Sequence, residues 1–188
     1  AESPGPSVGK LVPKLRITAK LLYSIYLGRT IVMVILLLAG GMPLFDSICM
    51  SFGAAGTGGF SCRNFGQAGY TIYQQGVITV FMLLFGVNFN VYFLMLIRRP
   101  REAFRCEELR GYLAAVAISI LLITINIRSL FPSLFMAFHQ AAFQVSSIIT
   151  TTGYATVDYN QWPEFSKCIL LLIMFIGACA GSTGGGMK

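Results

Sequence analysis

Thr57-Gly58-Gly59-Phe60-Ser61-Cys62 reads as a copy of Thr151-Thr152-Gly153-Tyr154-Ala155-Thr156. Each stretch follows a short, mostly apolar segment and precedes a hydrophobic run long enough to cross a membrane. A hydroxyl residue, a glycine and an aromatic in succession suit a chain that lines a narrow hole with its own carbonyl oxygens. Gly59 and Gly153 stand 94 residues apart, and the order of span, short apolar segment, glycine loop and span repeats with them. The chain therefore reads as an internal duplication around an ion pathway.

Composition sets the solvent. Of the 188 residues, 55% are hydrophobic and only 11% charged, whereas soluble domains carry about 25% charged residues. The apolar residues fall in long uncharged blocks, so the fold class is an all-α membrane protein, not a soluble core. The net charge is +7. Lys10, Lys14, Arg16 and Lys20 crowd the N-terminal lead, and Arg98, Arg99, Arg101, Arg105 and Arg110 crowd a central linker. Both clusters abut hydrophobic runs, which marks the cytoplasmic side of a multi-pass protein and argues against nucleic-acid binding. Cys49, Cys62, Cys106, Cys168 and Cys179 form neither a CxxC pair nor a metal spacing. His139 has no partner set for zinc. No cleavable signal precedes the first apolar run. The chain starts in what reads as a loop and stops just after a glycine-rich break, as expected of an internal piece of a longer protein.

Residues 1–20 form a basic cytoplasmic lead. Residues 21–97 form a first unit: a span over 21–40, a stop at Gly40-Gly41-Met42-Pro43, an apolar segment over 44–55 and a second span over 71–97. The 44–55 segment is too short to cross, so it is expected to be re-entrant. Asp46 suits its first turn, and Arg29 in the first span is expected to snorkel toward the cytoplasm. The basic linker covers 98–110. Residues 111–188 form the second unit, with a span over 111–127, a short segment over 133–150 carrying the second glycine motif, and a further span from Glu164. Tyr159 and Trp162 stand where interfacial aromatics belong. With the basic segments inside, both glycine loops fall outside.

Dehydrating an alkali cation demands replacement oxygens, and potassium channels supply backbone carbonyls from a Thr/Gly/aromatic loop. Thr57 and Gly58, with Thr151 and Thr152, would add carbonyl or hydroxyl ligands. Gly59 and Gly153 would turn the backbone, and Phe60 and Tyr154 would brace the loops from behind. Irregular backbone at membrane depth survives only buried in protein or lining a water-filled cavity. Two tight turns joining helices are the plainer alternative.

A third glycine cluster, Gly181-Ser182-Thr183-Gly184-Gly185-Gly186, should break the last span and leave a flexible loop below the filter. Gly177 and Gly181 form a GxxxG, which in a helix would mean close packing. Lys188 does not complete a Walker A loop, and Ala180 excludes a GxSxG elbow. The sequence is not read as an enzyme. An intramembrane hydrolase using Ser182 and His139 would need groups that the topology puts on opposite sides.

The stretches FGAAGTGGFS (52–61), ITTTGYATVDYNQWP (149–163) and GACAGSTGGGMK (177–188), with the lead-in KLVPKLRITAKLLYSIYLG (10–28), resemble the Trk/Ktr/HKT superfamily of potassium transporters, most closely the bacterial TrkH-type membrane subunit. The resemblance implies a potassium-channel-like pseudo-fourfold transporter in the cell membrane. In it four membrane–pore-loop–membrane repeats each give one filter glycine. This chain would supply the second and third repeats, with the remaining pore repeats elsewhere in the full-length chain. Potassium would be taken up through Gly59 and Gly153 carbonyls, and 181–186 would be the intramembrane gate. No cofactor is implied beyond K+ as the transported ion. The implied partners are the lipid bilayer, a second copy in a homodimer, and a cytosolic ring of nucleotide-binding regulatory subunits facing the linker. Channel-like flow and a sodium- or proton-coupled symporter both remain open, as does a purely structural assembly subunit supported by the GxxxG.

Overall fold

Helix α1 (Leu15–Ala39) opens the computed structural model, which describes residues 15–62, 68–97 and 100–186. The lead residues Lys10 and Lys14, the polar stretch 63–67, Arg98 and Arg99, and Lys188 lie outside the described residues. After α1 come α2 (Leu44–Ala55), α3 (Ile72–Phe85), α4 (Phe89–Leu96), α5 (Pro100–Phe104), α6 (Glu107–Ile127), α7 (Leu134–Ile149) and α8 (Glu164–Ile176). No strand occurs among the described residues.

Local chemistry sets the helix ends. The Thr71 hydroxyl accepts from the Gln74 N–H at 3.3 Å while the Gln74 side chain accepts from the Thr71 N–H at 3.0 Å. This reciprocal capping box starts α3. Gln74 Nε2 also donates to the Gly40 carbonyl at 2.9 Å, tying the start of α3 to the end of α1. Ser133 caps α7 through the Met136 N–H at 3.2 Å, and Glu107 and Glu108 lie in the first turn of α6, where the helix dipole favours them.

Among the described residues two helical stretches, 19–39 and 107–130, are long and apolar enough to cross a bilayer. The expected span over 71–97 is not straight: α3 and α4 meet at 90° across Gly86-Val87-Asn88. Asn88 restarts the chain by accepting the Asn90 N–H at 2.9 Å. An averaged hydropathy reading passes over such a break because Val87 is apolar and only Asn88 and Asn90 interrupt the run. The last helix, α8, is 13 residues long and stops at Ile176. Gly177 and Gly181 follow it with φ of +71° and +73°, so they are not a helix-packing pair, and the assembly-subunit reading loses its one support.

Arg29 differs from its expected role as well. Its Nη1 donates to the Leu84 carbonyl at 3.0 Å, and its guanidinium carbon lies 4.8, 4.8 and 4.2 Å from the Phe85, Phe89 and Tyr92 ring centres. The aromatic cage beside the α3–α4 break captures the cation, so it does not snorkel. Trp162 is 4% exposed and packs in the core, so its ring is enclosed by protein.

Helix α2 lies against α1 and α3, while α7 lies against α6, α8 and α3. Each short helix is thus cradled by its own unit, and α3 joins the two units. The cores interlock accordingly. Phe143 and Tyr154 of the second unit belong to the cluster around Met33, Met50 and Phe85. Val87 and Val91 of the first belong to the cluster around Ile123 and Ile149. Large apolar side chains such as Ile35, Leu121, Ile125 and Leu172 remain exposed, a surface suited to lipid or to neighbouring helices.

Candidate functional site

The two glycine loops begin in the same way, where α2 and α7 end. Thr57 N–H bonds the Ala54 carbonyl at 3.3 Å and Gly58 N–H the Gly53 carbonyl at 2.8 Å. The second loop matches bond for bond: Thr151 N–H to Ile148 at 3.0 Å and Thr152 N–H to Ser147 at 2.9 Å. These are the crossed bonds of a Schellman helix end, whose turning residue is left-handed and usually glycine. Helix α1 follows that habit: Gly41, at φ +78°, makes the corresponding bond to Leu38, and Met42 the bond to Leu37.

The loops depart from it. Their turning residues are Thr57 at φ +50° and Thr151 at φ +56°, the two non-glycine residues with positive φ among those described. A β-branched residue in that region costs on the order of 1–2 kcal/mol. Two residues further on, Gly59 and Gly153 are left-handed again, at +69° and +86°. Gly58 and Thr152 between them are not. Alternating hand turns successive peptide units toward one side, whereas a strand sends them to opposite sides. Sequence reasoning singled out all of these positions, and the fold brings them together. A Cβ on Gly59 would run into the Thr152 carbonyl oxygen, so the loops touch there. A Cβ on Gly153 would meet nothing within 4 Å.

The aromatics are not equivalent. Tyr154 is 2% exposed, and its hydroxyl lies 3.3 Å from the Met50 carbonyl and 3.4 Å from the Phe60 carbonyl. It therefore braces the first loop from behind. Gly53 makes this possible, because a Cβ there would collide with the tyrosine hydroxyl. Phe60 is 81% exposed, and no described residue shields it as Tyr154 is shielded. Behind the second loop, Ser147 donates to the Tyr154 carbonyl at 2.6 Å, the Thr150 and Thr152 hydroxyls pair at 2.8 Å, and Thr156 bonds Gln140.

The third glycine segment lies against both loops. Thr57 Oγ1 lies 3.2 Å from the Thr183 carbonyl, and Gly185 N–H donates to Thr151 Oγ1 at 2.7 Å. The other flank of the segment is tied to the α3–α4 break. Thr183 donates to the Phe85 carbonyl at 3.2 Å, Cys179 N–H to Gly86 at 3.1 Å, and Phe89 N–H to Gly181 at 3.1 Å. Glu108 accepts from the Ala180 N–H and, at 3.1 Å, from Asn88. The segment is thus tethered along its length. Ser182 donates to Cys179 at 2.6 Å, and His139 Nε2 pairs with Gln75 Oε1 at 3.0 Å. Each is engaged away from the other, which leaves the hydrolase pair without geometry. Glu108 and Gly53 were given no role by sequence reasoning: Glu108 belongs to no motif, Gly53 sits at the edge of the 52–61 stretch, and both act on residues distant in sequence.

Residues 129–188 match the family model described as TrkH, cation transport protein. The Trk system potassium uptake protein TrkH of Vibrio parahaemolyticus is 37% identical over all of this chain and 40% of its own length. Its Escherichia coli K12 namesake is 36% identical over the same shares. The crystal structure of the potassium transporter TrkH from Vibrio parahaemolyticus superposes with a TM-score of 0.88 at 34% identity, over 96% of this chain and 40% of that one. The chain spans about two-fifths of the length of these relatives, which are named as transport proteins and not as enzymes. In motif, in aligned sequence and in fold, the chain belongs to the TrkH family of membrane cation transport proteins.

Proposed function

We propose that this chain contributes two pore loops to a potassium uptake protein of the cell membrane. The carbonyls of 57–59 and 151–153 serve as filter ligands, and 181–186 serves as an intramembrane gate beneath them. Phe60 and Tyr154 back the loops, their own carbonyls being taken by Tyr154 and Ser147. The observation that carries this reading is the left-handed pair, Thr57 with Gly59 and Thr151 with Gly153, recurring at one spacing in both units. Strain repeated at equivalent positions is kept for a purpose, and lining up carbonyls to replace a cation's water is a purpose it serves. The names of the relatives, Trk system potassium uptake proteins, support the choice of ion.

In this reading the loops face outside and the linker 98–110 faces the cytosol. There a homodimer would meet a ring of nucleotide-binding regulatory subunits, the partners that the family resemblance implies. The test is ion selectivity of the intact protein in lipid vesicles. Gly59→Ser and Gly153→Ser should each lower the potassium-to-sodium flux ratio, and unchanged ratios in both variants would sink the filter assignment.

A further inference from the structure

The chain ends three helices with one backbone motif but puts glycine at the turn in only one of them. Gly41 turns the end of α1, where a Cβ would meet no described residue within 4 Å. Thr57 and Thr151 turn the ends of α2 and α7, and both have the segment 181–186 against their hydroxyls. A filter needs the turn, and glycine would give it without strain. What glycine lacks is the hydroxyl.

We infer that Thr57 and Thr151 are positioning residues that latch the 181–186 segment to the glycine loops, with their hydroxyls given to that segment and not to the permeating ion. The inference rests on the filter-and-gate reading above and adds how the two parts are joined. Thr151 carries most of the latch. Its Oγ1 accepts the Gly185 N–H at 2.7 Å, and a Cβ on Gly185 would crowd that oxygen at 3.0 Å. Gly184 has a similar requirement, since a Cβ there would lie 3.1 Å from the Thr150 carbonyl and 2.5 Å from the Ala178 side chain. The adjacent glycines thus let the segment reach the end of α7. Thr57 has one proton to share between the Gly56 carbonyl at 2.8 Å and the Thr183 carbonyl at 3.2 Å, so its contribution is the smaller.

On the opposite flank the segment is held to Phe85, Gly86 and Phe89. To swing aside it must let go of one flank. Among the described residues the threonine side has a single direct N–H···O bond, from Gly185 to Thr151, with the shared Thr57 contact beside it. That side releases first, and its release is what frees the path below the loops.

The test uses the intact protein in lipid vesicles, read by hydrogen exchange over 182–186 and by rubidium flux. Thr151→Val should speed exchange of the Gly185 amide roughly fivefold to tenfold and raise basal flux, while Thr151→Ser, which keeps an acceptor oxygen, should hold the Gly185 amide at its wild-type exchange rate. Thr151→Gly guards against misfolding, because it keeps the helix end and relieves the strain. It should exchange and conduct like the valine variant. Exchange unchanged in both Thr151→Val and Thr151→Gly overturns the latch. So does a lowered potassium-to-sodium ratio with normal exchange, which would put the hydroxyl on the ion. Failure of the filter reading looks different: selectivity would survive Gly59→Ser and Gly153→Ser, with the exchange response at Thr151 intact.

Discussion

The loop after α2 and the loop after α7 share a backbone and differ in almost everything that supports it. Both leave their helices through the same crossed hydrogen bonds, and both turn left-handed at the same two positions. Yet Gly59 is hemmed in by the Thr152 carbonyl, whereas Gly153 has open space on its Cβ side. The second loop is backed by Ser147, Thr150, Thr152 and Thr156, while its aromatic is buried and that of the first loop is exposed. The invariant part is the path of the peptide units. A duplication that lets side chains drift but holds main-chain angles implies that the main chain does the work.

That contrast can be broken by experiment. The largest effect is expected at Gly59→Ser, which combines a disfavoured φ with a collision. The two add to about 2–4 kcal/mol of lost stability, measured as a fall in thermal midpoint of the intact protein in lipid. Gly153→Ser should cost about 1 kcal/mol, from the backbone angle alone. Equal losses at the two glycines would show that the loops are more alike than their packing indicates. Next comes Tyr154→Phe, which keeps the buried ring but drops a hydroxyl shared between the Met50 and Phe60 carbonyls. It should cost about 0.5–1 kcal/mol, and exchange of the first loop's amides should rise more than that of the second.

The smallest effect concerns the second helices. Both break after a similar length, α3 at 14 residues and α8 at 13. The first resumes at once as α4, and only there does a caged arginine attend the break. Arg29→Met should change stability by less than about 1 kcal/mol. Tyr92 still donates to Leu84 at 2.6 Å, and removing a partly paired buried cation recovers part of its desolvation cost. A loss of several kcal/mol would make Arg29 the clamp that holds the 90° bend.

Much of this was legible in the sequence, for physical reasons that also mark where reading stops. The short apolar helix α2 fell on its expected residues because Pro43 and the glycines after Ala55 punctuate it. The paired loops were visible because glycine and threonine recur at one spacing. The bend at 86–88 was not, because Gly-Val-Asn hardly lowers an averaged hydropathy and the Asn88 cap acts locally. Arg29 misled because a lone arginine in the cytoplasmic half of a span usually reaches for water. Its three aromatic neighbours come from α3 and α4, more than 50 residues away. The role of Gly185 was equally hidden, since its partner Thr151 is 34 positions distant. Periodicity and punctuation describe elements, but contacts between elements need the fold.

Tyr154 belongs to one unit by sequence and to the other by contact. Genetic damage at this residue should therefore register in its neighbour: the mutation sits in the second loop, but the carbonyl that loses its brace is that of Phe60 in the first. Second-site suppressors of Tyr154 changes are then to be sought around Met50, Gly53 and Phe60, not beside Tyr154 itself. Address and phenotype lie in different halves of the duplication.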